Sequence, residues 1–408
     1  MIYDIIIIGA GIAGLYAAYK IKKERPDSKI LILEAESQIG GRAIMHNFHG
    51  VQVTTGAGVG RKKKDRLLIA LLNELHIKYN EFDTHPRFST TIEPKCSIKK
   101  TFLELRSKYN PKLHSSFTFR KFASSILGKN SYDHFVTCSG YSDYEEENAY
   151  DTLYNYGFDD NYQKWTALGL SWNNLIQTLS DKIGKRNILC NTRVSKLEPL
   201  ENGIVNVFVK GGTIYECKKA IVATTIDCLR DILPGSSSKT SPYRHIHSQP
   251  FIRIYGKFRG DTSIMAMKRV CSSTIVVPGP LHKLIPMDVE RGIYMIAYTD
   301  NKGVSLLEKF SENTPRNREA LCRIMEIALG IPQDTLELSD ILSFYWKEGT
   351  HFYDKLPLKY NNREEFIQDI QNPYSNILVI GEMASMKKGW VEGALESVES
   401  VITKVFET

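Results

Sequence analysis

Apolar runs near both ends of the chain predict short buried strands. Residues 3–8 (Tyr-Asp-Ile-Ile-Ile-Ile) and 29–33 (Lys-Ile-Leu-Ile-Leu) have this pattern, and residues 376–382 show it again near the C-terminus. Between the first two runs, apolar positions recur at helical spacing over residues 12–21 and predict a helix that covers a sheet. The first part of the chain therefore predicts a β-α-β unit with parallel strands.

The patterning changes twice in the middle of the chain. Residues 85–165 are rich in aromatic side chains and predict mostly helices, whereas residues 188–225 hold short apolar runs separated by glycine turns and predict a meander of strands. Further strands are predicted near 251–258, 273–277, 293–299 and 340–346, with helices near 65–76, 316–329 and 390–406. Since nucleotide-type segments recur at the start, middle and end, we expect an α/β fold whose two domains are interleaved.

The first strand runs directly into a glycine fingerprint. Gly9, Gly11 and Gly14 form Gly-x-Gly-x-x-Gly at the start of the predicted helix, and Glu34 ends the second strand. Such a unit binds the pyrophosphate of a dinucleotide at the helix N-terminus and a ribose on the acidic side chain. The first glycine makes the tight turn, the second lets backbone approach phosphate, and the third lets helix pack on strand.

Composition narrows the class of protein. The chain has 408 residues and a net charge of +7, without the clustered basic face of a nucleic-acid binder. Its seven cysteines are scattered, which favours a reducing compartment over a disulfide framework or a zinc site. We assign no metal, because the His245-x-His247 pair lacks further ligands nearby. With no apolar run of about 20 residues, we expect a cytoplasmic protein that does not span a membrane.

Two charged runs favour solvated surfaces. Residues 61–64 (Arg-Lys-Lys-Lys) precede an amphipathic segment and predict the exposed start of a helix. Residues 143–147 (Asp-Tyr-Glu-Glu-Glu) predict a solvated loop, with attraction of a cationic ligand towards an entrance as the alternative.

Three further motifs give the fingerprint a family context. They are Gly40-Gly41-Arg42, Gly381-Glu382, and the segment 389–394 (Gly-Trp-Val-Glu-Gly-Ala). Together with the fingerprint, they resemble the flavin-containing amine oxidase family, which includes monoamine, polyamine and L-amino-acid oxidases. The chain holds no second Gly-x-Gly-x-x-Gly, which disfavours the pyridine-nucleotide disulfide reductases.

The resemblance implies that FAD is the cofactor and assigns residues to it. The ADP half would lie against the fingerprint and the pyrophosphate and ribityl chain along Arg42, while Val391, within the segment 389–394, would cap the pyrimidine edge. The implied cofactor residues are Gly9, Gly11, Gly14, Glu34, Gly41, Arg42, Val194, Gly381, Glu382 and Val391. Thr350 stands where monoamine oxidases carry a flavin-linked cysteine, so we expect FAD to be non-covalent.

The substrate side departs from the family pattern. The resemblance implies two rings facing each other before the flavin, and these positions fall on Trp390 and His351, although a structural role for His351 is equally open. The family lysine that assists reaction with oxygen falls on Arg253, and Lys257 on the same strand face is a fallback.

The expected reaction oxidises a C–N bond of an amine, polyamine or amino acid by hydride transfer to flavin N5. Molecular oxygen would then accept the electrons and form H2O2. An amino acid would need an arginine for its carboxylate, and spacing does not rank Arg87, Arg106 and Arg120. Two alternatives remain: a desaturase of the protoporphyrinogen or carotenoid type, and a flavin-binding interaction protein without turnover.

The predicted domains follow from the motifs. Residues 1–84, 166–235 and 375–408 would form a Rossmann-like FAD-binding domain, and residues 85–165 and 236–374 a substrate domain of mixed sheet and helices. The oligomeric state is not indicated by the sequence.

Overall fold

The computed structural model describes residues 1–85 and 87–406. Residue 86, within the predicted segment 85–165, and residues 407 and 408, at the end of the segment 375–408, lie outside the described residues. The strands are β1 (Ile2–Ile8), β2 (Ile30–Leu33), β3 (Met45–Phe48), β4 (Val51–Thr54), β5 (Gly60–Arg61), β6 (Tyr79–Thr84), β7 (Arg87–Phe88), β8 (Trp165–Leu170), β9 (Ile188–Leu189), β10 (Val194–Pro199), β11 (Val205–Val209), β12 (Ile214–Val222), β13 (Ile246–Phe258), β14 (Ile275–Val276), β15 (Lys283–Asp288), β16 (Ile293–Asp300), β17 (Leu338–Tyr353) and β18 (Ile377–Val379). The helices are α1 (Ile12–Glu24), α2 (Arg66–Glu74), α3 (Ile98–Lys108), α4 (Pro111–His114), α5 (Phe119–Leu127), α6 (Lys129–Ser139), α7 (Ala149–Tyr154), α8 (Trp172–Ile183), α9 (Ile226–Ile232), α10 (Asp261–Val270), α11 (Asn301–Leu307), α12 (Pro315–Leu329), α13 (Arg363–Gln371) and α14 (Val391–Phe406).

The largest sheet has seven strands in the order β10-β11-β12-β1-β2-β9, with β18 also paired to β12. Strands β12, β1, β2, β9 and β18 are parallel, and β10 to β12 form the predicted antiparallel meander. Ile5 and Ile7 pack beneath α1, α8 and α14, while Ile6 and Ile8 pack against residues of the meander, α9 and α13. The near-continuous apolar runs therefore arise because both faces of the sheet are covered.

A second sheet has six strands in the order β17-β13-β16-β15-β14-β7. Its long strand β13 alternates: Ile252 and Ile254 enter a core with α10, α11 and α12, whereas Arg253 and Tyr255 face the β3–β4 hairpin. This alternation aims Arg253 at the last residue of β4, Thr54.

Helices α3 to α7 form a helical unit around an aromatic core that packs on Val276 of the second sheet. Two predictions in this region are wrong. Cys96 and Cys138 form a disulfide, so the cysteines are not all reduced. Residues 143–147 are not a solvated loop, because Tyr144 and Glu147 are buried and Glu147 pairs with Lys388 at 2.9 Å. Exposure cannot be read from charge alone when a distant lysine neutralises the acid.

No helix within 1–85 or 87–406 has both the length and the apolar character needed to cross a bilayer.

Candidate cofactor and active site

The three glycines of the fingerprint have separate structural roles. A Cβ atom on Gly9 would lie 2.6 Å from the carbonyl oxygen of Ala223, and one on Gly14 would lie 2.1 Å from the carbonyl oxygen of Gly9. Both positions therefore require glycine for packing. A Cβ on Gly11 would meet nothing within 4 Å, and its backbone (φ −71°, ψ 177°) suits any residue. Gly11 thus borders open space in front of α1, whose first N–H groups receive no side-chain cap.

Glu34 is fixed beside this turn. Its Oε2 accepts a hydrogen bond from the Ala10 amide at 2.7 Å, and its Oε1 accepts one from the Glu36 amide at 2.9 Å. The Thr192 amide donates to the Glu34 carbonyl at 2.7 Å, which brings the chain leading into Val194 alongside. Since a carboxylate has about four acceptor positions, Glu34 keeps capacity for ribose hydroxyls.

The segment 40–42 lies across the fingerprint. The Gly40 amide donates to the Ala10 carbonyl at 2.8 Å, and a Cβ on Gly41 would lie 3.5 Å from Gly11 Cα. Gly41 and Gly11 therefore lie side by side at the start of α1. Arg42 Nη1 donates to the carboxylate of Glu382 at 2.9 Å and to the Gly349 carbonyl at 2.8 Å.

Glu382 is the centre of a buried polar junction. Its Oε1 accepts from Arg42 and from His351 Nδ1, and its Oε2 accepts from the Gly389 amide at 3.0 Å. Burial opposes ionisation, but the neighbouring side chains of His351 and Arg42 outweigh it and hold the pKa of the Glu382 carboxyl well below its usual range. The junction ties the chain after β18 to the turn before α14.

His351 has the structural role that the sequence left open. Its Nδ1 bonds Glu382, and its Nε2 accepts from the Ile226 amide at 3.3 Å, so neither ring nitrogen is available to a ligand. Among the described residues, no direct ring contact joins His351 to Trp390, and their facing each other across a flavin stays a prediction. The ring of Trp390 instead meets that of Trp165, with centroids 6.4 Å apart.

The guanidinium group of Arg61 covers one face of the Trp390 ring. The guanidinium carbon of Arg61 lies 3.7 Å from the ring centroid, and Arg61 pairs with Asp65 at 2.6 Å and Asp160 at 3.2 Å. Lys62 and Lys63 are exposed, but Arg61 is buried, so the prediction of a solvated helix start is wrong for this residue. Asp65 on the next turn, the distant Asp160 and the indole compensate the loss of water around the guanidinium.

Helix α14 starts at Val391 and is anchored by a residue that the sequence did not single out. The carboxylate of Glu392 accepts from the amides of Leu67 and Leu68, both at 3.0 Å, and so binds the N-terminus of α2. Gly393 is required for packing, since a Cβ there would lie 2.2 Å from the Lys387 carbonyl. An acid in a first helical turn was the available signal, but its partner is far away in sequence.

Arg253 is buried and lies over the ring of Tyr298, 4.5 Å from its centroid. Its Nη1 donates to the hydroxyl and carbonyl oxygens of Thr54. Within the described part of the chain, no carboxylate forms an ion pair with it. Lys257 lies about 13 Å further along β13, where its ammonium group donates to the Arg291 carbonyl at the surface. Lys257, the alternative to Arg253, is therefore not part of the group formed by Arg253, Thr54 and Tyr298.

A half-buried lysine, Lys283, lies beside Arg253 and its aromatic neighbours and had no sequence signal. Lys283 Nζ lies 3.2 Å from the ring centroid of Tyr141, which packs edge-on against Tyr298. Burial lowers the pKa of Lys283 to about 7, although the charges of Asp143 and Asp300 act in the opposite direction. Burial also raises the pKa of both carboxyls.

The remaining candidates lie elsewhere. His245 and His247 share the carboxylate of Asp354, at 2.7 and 3.0 Å. The three arginines considered for a substrate carboxylate also have partners of their own: Arg87 bonds Ser272 and Ser273, Arg106 lies over Phe102 and Tyr154, and Arg120 pairs with Glu145 and Glu146.

Comparisons with known proteins agree with this architecture. A model of an NAD(P)-binding Rossmann-like domain matches residues 7–75, and one of the flavin containing amine oxidoreductases matches residues 97–400. An uncharacterized protein of Acanthamoeba polyphaga mimivirus is 20% identical over 99% of this chain and 94% of its own length. The thiamine thiazole synthase of Ajellomyces capsulatus is 41% identical, but over 20% of this chain and 22% of its own length.

Solved structures support the same conclusion for the fold. A double mutant of putrescine oxidase, made in a redesign of cofactor binding, superposes with a TM-score of 0.75 at 14% identity and covers 100% of both chains. The predicted α/β fold with a Rossmann-like domain is confirmed. The chain belongs to the family of flavin-containing amine oxidoreductases and is a flavin-dependent oxidoreductase.

Proposed function

We propose that this protein binds FAD without a covalent bond and oxidises the C–N bond of an amine-type substrate, with molecular oxygen as the acceptor. The observation that carries the proposal is the uncapped N-terminus of α1, where Gly11 borders open space and lies beside Gly41, the residue before the Arg42 that pairs with Glu382. Free amides followed by an ion pair suit a pyrophosphate joined to a polyhydroxyl chain.

The residues present fit FAD. Gly11 and Gly41 have no side chain to block a phosphate, and the carboxylate of Glu34 lies where the ribose hydroxyls of the ADP half would be. In this assignment Gly9, Gly11, Gly14, Glu34 and Val194 hold the ADP half; Gly41, Arg42, Gly381 and Glu382 hold the pyrophosphate and ribityl chain; and Val391 caps the pyrimidine edge. The N-terminus of α14 would favour negative charge at that edge.

We further propose that residues 1–84, 166–235 and 375–408 form the FAD-binding domain, and residues 85–165 and 236–374 the substrate domain. Non-covalent binding is supported by Thr350, which lies next to Gly389: a Cβ atom placed on Gly389 would be 3.5 Å from the Thr350 methyl group. A threonine at the place of the linking cysteine has no thiolate to form the bond.

Bound FAD supplies the redox chemistry, since its N5 accepts a hydride and oxygen then takes the electrons to form H2O2. The protein groups orient the substrate and exclude water. Buried Arg253 lies over the ring of Tyr298, Tyr141 packs edge-on against Tyr298, and Lys283 lies over the ring of Tyr141. A lysine with a pKa of about 7 can take up a proton released by the substrate ammonium group at neutral pH.

Among the three substrate classes, we propose an amino acid. Arg253 is a buried cation without a carboxylate partner in the described part of the chain, and a substrate carboxylate would supply one. The face of Trp390 is already covered by Arg61, which leaves less room for a second cation there. Putrescine oxidase, whose fold is shared, is named for a diamine, and a diamine would place two cations near these arginines.

The test is anaerobic reduction of the purified flavoprotein, followed as bleaching of the flavin absorbance, with amines, polyamines and amino acids. We expect an amino acid to bleach it and air to restore the colour with one H2O2 per cycle. Bleaching only by apolar porphyrinogen or polyene substrates would favour a desaturase. No bleaching by any of these compounds would refute oxidation of amines.

Arg253→Met separates two roles of that residue. If Arg253 binds the carboxylate, the variant should require at least tenfold more amino acid for half-maximal reduction, with its reoxidation by oxygen unchanged. If it assists oxygen, only reoxidation should slow. Lys257→Met is the matched control, because it removes a cation from the same strand at the surface.

A further inference from the structure

Three side chains of metal-ligand type meet in the helical unit. Cys96 precedes α3, while His134 and Cys138 are four residues apart on α6 and so lie on one face of it. Their ligand atoms all lie within 4.8 Å of one another. His134 Nε2 is 3.4 Å from Cys138 Sγ, and Cys96 is joined to Cys138 as a disulfide.

A cavity adjoins these side chains. It has a volume of about 360 Å³, and its lining includes His134, Cys138 and the polar side chains of Ser97, Asn130 and Ser131. A cavity of this size has room for water molecules, and the side chains of Ser97, Asn130 and Ser131 offer them hydrogen-bond partners. His134 and Cys138 therefore border a space from which a fourth, non-protein ligand can approach.

We propose that Cys96, His134 and Cys138 form a redox-gated zinc site, which is a disulfide when oxidised and binds Zn²⁺ when reduced. A dithiol transfers two electrons and two protons to the disulfide, giving two cysteine thiols and the cyclic disulfide of the reductant. Zn²⁺ then binds both sulfurs and the neutral imidazole, and the two thiol protons leave to solvent. Water from the cavity completes four-coordination.

The chemistry of the ligand set selects zinc. Two thiolates and one imidazole are typical zinc ligands, at about 2.3 and 2.0–2.1 Å. Two thiolates neutralise the charge of Zn²⁺, so the site needs no further acid. The Cα atoms of the two cysteines are 5.6 Å apart, so both sulfurs can reach one ion by side-chain rotation. Of the five free cysteines, Cys217, Cys271 and Cys322 are buried, and none of the five belongs to the group.

The experiment uses the full chain with its flavin bound. One sample is reduced with dithiothreitol and desalted without oxygen, and the other is left oxidised; both are titrated with Zn²⁺ against a chromophoric chelator. We expect one tightly bound zinc per reduced chain and none at this site in the oxidised chain. Co²⁺ in place of Zn²⁺ should give sulfur-to-cobalt charge-transfer absorption, which histidine or carboxylate sites lack.

His134→Ala is the decisive variant, because it keeps both cysteines and therefore the disulfide. It should weaken zinc binding by tenfold or more and alter the cobalt spectrum, whereas Cys190→Ser, at a partly exposed free cysteine, should leave both unchanged. The proposal is overturned if reduced and oxidised protein bind zinc equally, if His134→Ala binds as wild type does, or if reduction unfolds the protein by circular dichroism. None of these readouts requires turnover.

Discussion

Gly11 and Gly14 stand three residues apart, yet their replacement by alanine should damage different properties. At Gly14 the new methyl group would lie 2.1 Å from the carbonyl oxygen of Gly9, so the helix must move away from the strand turn. At Gly11 the methyl group would enter open space, and the backbone already has an allowed conformation. We therefore expect Gly14→Ala to destabilise the protein and Gly11→Ala to weaken FAD binding.

The magnitudes follow from the contacts. Overpacking lowers the free energy of unfolding by about 1–3 kcal/mol, and a clash with rigid backbone has a cost near the upper end of this range. Alanine has a higher helix propensity than glycine, which raises the free energy of unfolding by up to about 1 kcal/mol. Gly14→Ala should therefore lose about 2 kcal/mol of unfolding free energy. Gly11→Ala should change stability by about 0.5 kcal/mol or less. A methyl group that displaces phosphate from one amide removes a charge-assisted hydrogen bond of about 1.5–3 kcal/mol, which is roughly a 10- to 100-fold weaker FAD affinity.

The assay measures the two properties separately. Urea unfolding is followed on FAD-free protein, because bound cofactor would itself add stability. FAD affinity is measured by fluorescence titration of the same samples. The reasoning is refuted if Gly11→Ala unfolds as easily as Gly14→Ala, or if it binds FAD as tightly as wild type.

Three further substitutions test the buried charges. The folded-state pKa of Glu382 lies below the unfolded value of 4.5, so its carboxylate stabilises the folded protein above pH 4.5 and this stabilisation is lost as the pH falls. Below pH 4.5 the unfolding free energy of Glu382→Gln should therefore fall less steeply than that of wild type. The pKa of Lys283 is about 7 in the folded protein and 10.5 in the unfolded chain, so between these pH values the folded state binds fewer protons and the unfolding free energy rises with pH. Urea unfolding at pH 7 and pH 9 should show that rise in wild type and a smaller one in Lys283→Met. Glu392→Ala removes the acceptor of two amides of α2 and should cost about 1–3 kcal/mol in thermal or urea unfolding, whereas its surface neighbour Glu396, paired with Lys387, should change stability little when replaced by alanine.

Local pattern was enough to predict much of the cofactor side. The strand before Gly9, the helix after Gly11 and the acid at Glu34 are adjacent in sequence, and short-range sterics and periodicity decide their arrangement. The helix from Val391 followed in the same way from its apolar stripe. These elements lie where the sequence predicted them, although the ligand roles of their residues stay proposals.

The substrate side was predicted less well, because its contacts are long-range. Trp390 and His351 were expected to face each other, but Glu382 and the Ile226 amide bind the imidazole, while Arg61 covers the indole. Each of these partners comes from a different part of the chain. Sequence spacing does not predict which buried charged side chains pair with each other when they are far apart in the chain.

The sequence by itself therefore determined a nucleotide-binding β-α-β unit, its glycines and its family, since those depend on neighbouring residues and on backbone sterics. The tertiary structure alone decided that residues 143–147 are largely buried, that Cys96 meets Cys138 near His134, and that Lys283 lies behind the tyrosines beside Arg253. Those contacts form when sheets and helices pack, because packing removes water from charged groups and so selects the partners that can replace it.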